Sequence, residues 1–283
     1  MDLLSIVWNA DPNMLTLGPL TIRWYGILFA ASFFFGYLLF VRFFSFEKIP
    51  LEELDALTGY MAVGTVLGAR LGHCLFYEPA YYLQNPLEII KVWHGGLASH
   101  GAAIGILTAL WLFSRKYGRP YFWIVDRIVI VVALAGFFIR WGNFMNSEIY
   151  GRETSLPWGT IFERAGEVLP KHPTQIYEAL AYLSIFAGLY LLYRKKAYAP
   201  PHGLLFGIFL AAVFGFRFLV EFIKEPQVAF EASMTLNMGQ LLSIPFVLAG
   251  MGLMLYAMRN PNQTASAIPS RLQTPLKKGR KVS

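Results

Sequence analysis

The stretch from Tyr121 to Arg152, YFWIVDRIVIVVALAGFFIRWGNFMNSEIYGR, decides the fold. Tyr121 to Ile139 is an apolar run of about the length that crosses a bilayer, roughly 20 residues. Directly behind it stand two guanidiniums (Arg140, Arg152), two amides (Asn143, Asn146) and a carboxylate (Glu148). Arg140 therefore falls where hydrocarbon gives way to headgroups, and polar groups at that depth are expensive unless they hold something. A planar guanidinium there suits a lipid phosphate.

Outward from this stretch the same character continues. The 283 residues are 56% hydrophobic and only 14% charged, with mean hydropathy +0.47, a balance that excludes a soluble domain. Further runs of spanning length lie at Ile22 to Phe43, Leu54 to Leu75, Leu97 to Phe113, Ile176 to Tyr193, Gly203 to Val220 and Leu241 to Ala257. Backbone groups in lipid must pair within their own segment, so the pattern predicts an all-α polytopic membrane protein of about seven transmembrane helices.

Lysines and arginines set the orientation, because short loops rich in them stay cytoplasmic. Arg42 and Lys48 follow the first run, Arg115, Lys116 and Arg119 the third, Arg194, Lys195 and Lys196 the fifth, and Lys277, Lys278, Arg280 and Lys281 the seventh. The N-terminus is then outside and the C-terminus cytoplasmic. The loops after the second, fourth and sixth helices face the exterior, and the Arg140 to Arg152 stretch opens the longest of them. Met1 to Leu4 lacks the basic start of a cleavable signal, and Trp8, Asp11, Pro12 and Asn13 read as an interfacial segment. The outer loop Tyr77 to Gly96, with Tyr81, Tyr82 and Trp93, is expected on the membrane surface. Residues 1–258 read as a single transmembrane catalytic domain, with 143–173 as a small extracytoplasmic cap and 259–283 as a disordered, basic cytoplasmic tail. The net charge of +7 belongs to loops and a tail facing anionic lipid rather than to nucleic acid.

Arg217 and Glu221 stand four residues apart on one helical face, as a packing ion pair or, together with Arg140, as part of an anion site. His100, in Gly95-Gly96-Leu97-Ala98-Ser99-His100-Gly101, carries the one side chain that ordinarily titrates near neutrality, and is either a proton acceptor or a histidine bonded to a nearby carbonyl. His73, His94, His172 and His202 share no ligand spacing, so no metal or cofactor is expected. Cys74, the one cysteine, sits in an apolar run and reads as packing. The spacing Gly64, Gly68, Gly72 marks close helix contact. Asp126 beside Arg127 reads as an interfacial pair, and Tyr25 as an aromatic entering the first helix from outside.

These pieces resemble the bacterial prolipoprotein diacylglyceryl transferases. The resemblance is carried by Arg23-Trp24-Tyr25-Gly26, the glycine-rich block ending in His100-Gly101, the Arg140 to Arg152 pattern, His172-Pro173-Thr174-Gln175-Ile176-Tyr177-Glu178, Phe216-Arg217 with Glu221, and Met238-Gly239-Gln240. It covers nearly the whole membrane region in the same order. It implies a multi-pass enzyme of the bacterial inner membrane, its site toward the outer side. The implied reaction moves the diacylglyceryl group of phosphatidylglycerol onto the lipobox cysteine of a prolipoprotein signal peptide and releases glycerol phosphate. Carried over by position, Arg140 and Arg217 bind the phosphate and His100 is the base. Tyr25, Asn143, Asn146 and Glu148 are supporting catalytic residues, while Gly151 and Glu221 help bind the lipid. Two positions depart from the family's pattern: Ile139 where a glycine is usual, and Val213 where a tyrosine is frequent.

The chemistry is consistent with these residue types. Charge builds on the leaving phosphate, and preorganised guanidiniums in a low-dielectric cavity stabilise it. The attacking thiol belongs to the substrate, so the enzyme needs no nucleophile of its own. Proton transfer from a free thiol to a free imidazole runs uphill by roughly 2.7 kcal/mol, a gap that nearby positive charge narrows. A transporter lined by Arg140, Arg217 and Glu221 is the competing class, although the chain shows no paired repeat halves.

Overall fold

A computed structural model describes residues 6–18, 20–92, 96, 98–225 and 234–261. Among them run strands β1 (Ile6–Trp8), β2 (Asn13–Leu17) and β3 (Leu20–Arg23), then helices α1 (Trp24–Phe46), α2 (Leu51–Phe76), α3 (Pro79–Gln84), α4 (Ser99–Tyr117) and α5 (Tyr121–Met145). Strand β4 (Thr160–Phe162) and helices α6 (Thr174–Lys195), α7 (Leu204–Val220) and α8 (Met238–Arg259) complete the order. Seven of these helices occupy the seven expected runs. Five are long and apolar enough to cross a membrane by length and composition: α1, α5, α6, α7 with its 3-10 extension to Ile223, and α8. Helices α2 and α4 have the length, but α2 carries Glu52, Glu53, Asp55 and Arg70, and α4 carries His100, Arg115 and Lys116. Those charges dilute the hydropathy that marks the other five. The protein is a mostly helical, multi-pass membrane protein. Trp93, His94, Gly95 and Leu97, and the tail from residue 262 onward, lie outside the described residues.

The chain divides into two compact units. The first takes residues up to Phe43 and from Asp126 to Pro261. Here α7 and α8 pack backbone to backbone: a Cβ on Gly207 would stand 2.8 Å from the Gly250 carbonyl, and one on Gly250 2.7 Å from that of Gly207. Asp126, fully buried, accepts hydrogen bonds from the Gly203 (2.7 Å) and Phe206 (2.8 Å) amides. It therefore caps the N-terminus of α7, with the adjacent Arg127 within electrostatic reach of it, while the Arg127 guanidinium also donates to the Tyr198 carbonyl and lies over the Tyr193 ring.

The N-terminal segment is structured by partners far along the chain. Strand β1 pairs in parallel with β4, and β2 with β3 as a hairpin. Trp8 donates from Nε1 to the Phe144 carbonyl (3.1 Å), and Phe162, fully buried, stacks on Tyr150 with centroids 4.8 Å apart. Segment 143–173 thus shares its apolar centre with the residues before α1, as a stretch this short needs in order to bury one.

The second unit holds residues 44–125 of the described chain. The glycines of α2 face Gly101 and Gly105 of α4, with Gly64 and Gly68 in direct contact with them. This is the close packing expected from the spacing Gly64, Gly68, Gly72. Buried Arg70 donates to the carbonyls of Glu88, Ile89 and Gly96 and lies 5.1 Å over the Tyr82 ring, fastening the loop after α3 to α2. Cys74 is buried as a free cysteine.

Candidate active site

The last turns of α5 and the chain just beyond them bring together four of the expected site residues. Arg140 Nη1 donates to Asn143 Oδ1 (3.2 Å), Asn143 Nδ2 to Glu148 Oε1 (2.8 Å), and Asn146 Nδ2 to the same Glu148 oxygen (3.2 Å). An arginine offers only donors and a carboxylate only acceptors, so the amide of Asn143 is fixed in one orientation between them. The turn that makes this possible is strained: Ser147 and Ile149 both adopt positive φ, 55° and 60°. For β-branched Ile149 this is a genuine outlier, of the kind that persists only where surroundings enforce it. The enforcing groups are the first residues of α6. Gln175 Nε2 donates to the Glu148 carbonyl (2.6 Å) and Thr174 Oγ1 to the Ile149 carbonyl (2.9 Å), both from fully buried side chains.

Gly151 and Tyr25 are placed by close backbone contact. The Gly151 amide donates to the His172 carbonyl (2.8 Å) and the Arg152 amide to that of Ile223 (2.8 Å), stitching the loop to two other segments. A Cβ on Gly151 would meet the Ile223 carbonyl oxygen, Thr174 Cγ2 (2.8 Å) and His172 Cβ (2.9 Å), which is why glycine stands there. The Tyr25 ring lies on Gly142, its Cδ2 2.7 Å from where a Cβ would be, two residues after Arg140 in α5.

Arg217 and Glu221 form the expected pair, with Arg217 Nε 3.7 Å from Glu221 Oε1. The Arg217 side chain is 42% exposed, yet its Nε is buried with no hydrogen-bond partner. Glu221 accepts from Asn237 Nδ2 (3.0 Å) and packs against Gly239. It therefore sits at the N-terminus of α8, where the Asn237–Gln240 capping box closes the helix and its dipole favours an anion.

Two residues that sequence reasoning did not place in the site complete it. Glu178 of α6, 0% exposed, has Oε2 3.1 Å from Arg140 Nε and Oε1 3.0 Å from Lys224 Nζ. Lys224, 5% exposed, lies 3.6 Å from Glu221 Oε1. A carboxylate near the start of the apolar run of α6 was the available signal for Glu178, since buried charges are paired or functional, whereas Lys224, next to Glu225, offered none. Val213 brings no hydroxyl to α7, but Tyr182 of α6 packs on Gly136 and lies within electrostatic reach of Arg140, Glu178 and Arg217. Nothing in the structure explains the departure at Ile139. His100 belongs to the second unit, exposed in the first turn of α4. That unit also holds an apolar cavity of about 750 Å³ between α2 and α4, with Lys116 at one end.

Outside the helices, Lys171 gathers three carboxylates: Glu225 (2.7 Å), Glu167 (3.3 Å) and Glu153 (3.7 Å). The Glu225 hydrogen bond, and after it Glu167, hold the Lys171 ammonium above its ordinary pKa against the effect of burial. Tyr150, desolvated and donating to Glu167 (2.7 Å), is pushed up to about 12, and burial holds His172 below its ordinary value. A lysine whose pKa is raised on folding stabilises fully below its unfolded value of about 10.4, and the contribution is lost as pH rises through the folded value. Lys171→Met is expected to cost about 1–2 kcal/mol and to flatten the loss of stability above about pH 10.4; thermal unfolding across alkaline pH in detergent checks both.

The fold defines a multi-pass membrane protein that places partly buried arginine–carboxylate pairs at the ends of its long helices. A family model described as prolipoprotein diacylglyceryl transferase matches residues 12–256. A protein of Tolumonas auensis named phosphatidylglycerol–prolipoprotein diacylglyceryl transferase is 52% identical over 251 residues, covering 88% of this chain and 96% of that protein. Proteins of the same name from Chloroherpeton thalassium and Porphyromonas gingivalis are 48% and 47% identical, each over 90% of this chain and 95% and 96% of their own length. The chain belongs to the prolipoprotein diacylglyceryl transferase family.

Proposed function

We propose that the protein transfers the sn-1,2-diacylglyceryl group of phosphatidylglycerol to the lipobox cysteine of prolipoproteins, the first step of bacterial lipoprotein maturation. The cysteine sulfur bonds to the glyceryl carbon, the carbon–oxygen bond to the phosphate breaks, and glycerol phosphate leaves with the electron pair. Arg140 and Arg217 hold the phosphate and take up the charge that develops on its oxygens. His100 accepts the thiol proton. Asn143, Asn146 and Glu148 fix the Arg140 guanidinium, Tyr25 and Gly151 shape its surroundings, and Glu221 holds Arg217.

The observation that carries this reading is the Arg140–Asn143–Glu148 array on a strained, enforced turn, within a chain whose relatives carry this activity in their names. The site faces the outer side of the bacterial inner membrane, under residues 143–173 as a cap. In this reading the seven long helices all span as one catalytic domain over residues 1–258, with the N-terminus outside and the basic tail 259–283 in the cytoplasm.

The test is reconstitution of the full chain in phosphatidylglycerol vesicles with a peptide bearing a signal sequence and lipobox. Mass spectrometry should find the peptide heavier by one diacylglyceryl thioether, with glycerol phosphate released in equal amount. A folded protein that yields neither product, beside an active family member that yields both, overturns the assignment. His100→Gln is expected to lower thioether formation by about 10²-fold or more; activity within about tenfold of the parent would assign the thiol proton elsewhere.

A further inference from the structure

Five charged side chains of the site, with Glu148 set apart from them behind Asn143, form one series joined by direct ion pairs: Arg140 to Glu178 (3.1 Å), Glu178 to Lys224 (3.0 Å), Lys224 to Glu221 (3.6 Å) and Glu221 to Arg217 (3.7 Å). Three cations stand against two carboxylates, leaving one positive charge for the series. That surplus matches the single negative charge of a phosphodiester. It exists only because Lys224 is there. Each carboxylate is shared between Lys224 and one arginine, and without the ammonium both would turn wholly to the guanidiniums, leaving no net charge.

Lys224 is also held in place independently of these pairs. Its carbonyl accepts from Arg152 Nε (3.0 Å), and its backbone bridges to Gly151 in an antiparallel pairing. The side chain lies 5% exposed, buried against a Glu178 that is 0% exposed. An ammonium is retained at such a depth only with good partners, because its desolvation is costly. Its length brings it between two carboxylates that come from different helices, α6 and the turn after α7.

We propose that Lys224 is a positioning residue for the phosphate clamp: by dividing Glu178 and Glu221 with the two arginines, it leaves Arg140 and Arg217 able to bind a phosphodiester anion. This rests on the functional reading above. Lys224 does not itself touch the substrate. It sets how much of each guanidinium's charge remains uncommitted, and so acts first on lipid binding.

The test is steady-state kinetics in vesicles of varied phosphatidylglycerol content at saturating lipobox peptide, on the parent, Lys224→Met, Lys224→Arg and the double variant Lys224→Met/Glu178→Gln. Removing one partner of a buried charge network should raise KM for the lipid about tenfold or more, with the smaller effect on kcat. Lys224→Arg, which keeps the charge, should stay within about threefold of the parent. The double variant restores the surplus by removing one carboxylate with the ammonium, and should recover KM to within about threefold. A purely structural lysine predicts the opposite order, with the double variant worse than the single.

Parental KM in Lys224→Met, or a double variant no better than it, overturns the proposal. If Lys224→Met does not fold, the double variant decides alone: KM near the parent supports the proposal, and KM raised tenfold overturns it. A parent that forms no thioether at all counts instead against the functional reading.

Discussion

Arg140→Ala is expected to lower kcat/KM for diacylglyceryl transfer by about 10² or more, the typical cost of removing a preorganised group that meets charge in the transition state. The guanidinium is fixed on one side by Asn143 Oδ1 at 3.2 Å and on another by Glu178 at 3.1 Å. Those contacts cost nothing at the moment of reaction because they are already made. Arg140→Lys should recover little, since an ammonium is a point charge that cannot satisfy Asn143, Glu178 and a phosphate with one planar fork. Alanine also leaves Glu178 Oε2, already without a hydrogen bond, dependent on Lys224 at the opposite oxygen. Stability should therefore fall as well, short of the 3–5 kcal/mol typical when a buried charge loses its only partner. Release of glycerol phosphate and thermal unfolding, measured on the same preparation, separate the two effects. Activity within about tenfold of the parent would remove Arg140 from the clamp.

What the sequence made legible was whatever depends on near neighbours. Apolar length alone placed seven helices within a few residues of their ends. The four-residue spacing of Arg217 and Glu221 gave a real ion pair, and the Gly64, Gly68, Gly72 spacing gave a real helix contact. Arg140, Asn143, Asn146 and Glu148 were legible because a single turn brings them together.

What escaped reading depends on partners distant in sequence. Strand β1 has three residues and its partner β4 stands more than a hundred positions away, so neither has a pattern of its own. Glu178 and Lys224 meet across 46 positions, and no spacing announces such a pair. Adjacency in the sequence displays Arg127 as a neighbour of Asp126, and the two are within electrostatic reach. The hydrogen bonds of Asp126 to the first amides of α7 answer a requirement of helix ends that becomes visible only when the second helix is in place.

Glu148→Ala should be nearly as damaging as loss of Arg140, through a different route. One carboxylate oxygen, Oε1, accepts from both Asn143 (2.8 Å) and Asn146 (3.2 Å). Removing it leaves two amide donors unpaired, and Asn143 is buried. An unsatisfied buried donor costs about 1–3 kcal/mol. The cheapest relief is for the Asn143 amide to rotate, which takes Oδ1 away from Arg140 and frees the guanidinium to swing toward Glu178. Transfer should fall about 10- to 100-fold, chiefly in kcat, because the misplaced guanidinium no longer meets the charge on the leaving phosphate. Glu148→Gln separates geometry from charge. Its amide oxygen can still accept from both asparagines while the negative charge is gone, so it should retain several times the activity of Glu148→Ala if orientation is what matters. Equal loss in the two variants would mean that the Glu148 charge itself, balancing Arg140 on the side away from Glu178, is what the turn from Ser147 to Ile149 is strained to deliver.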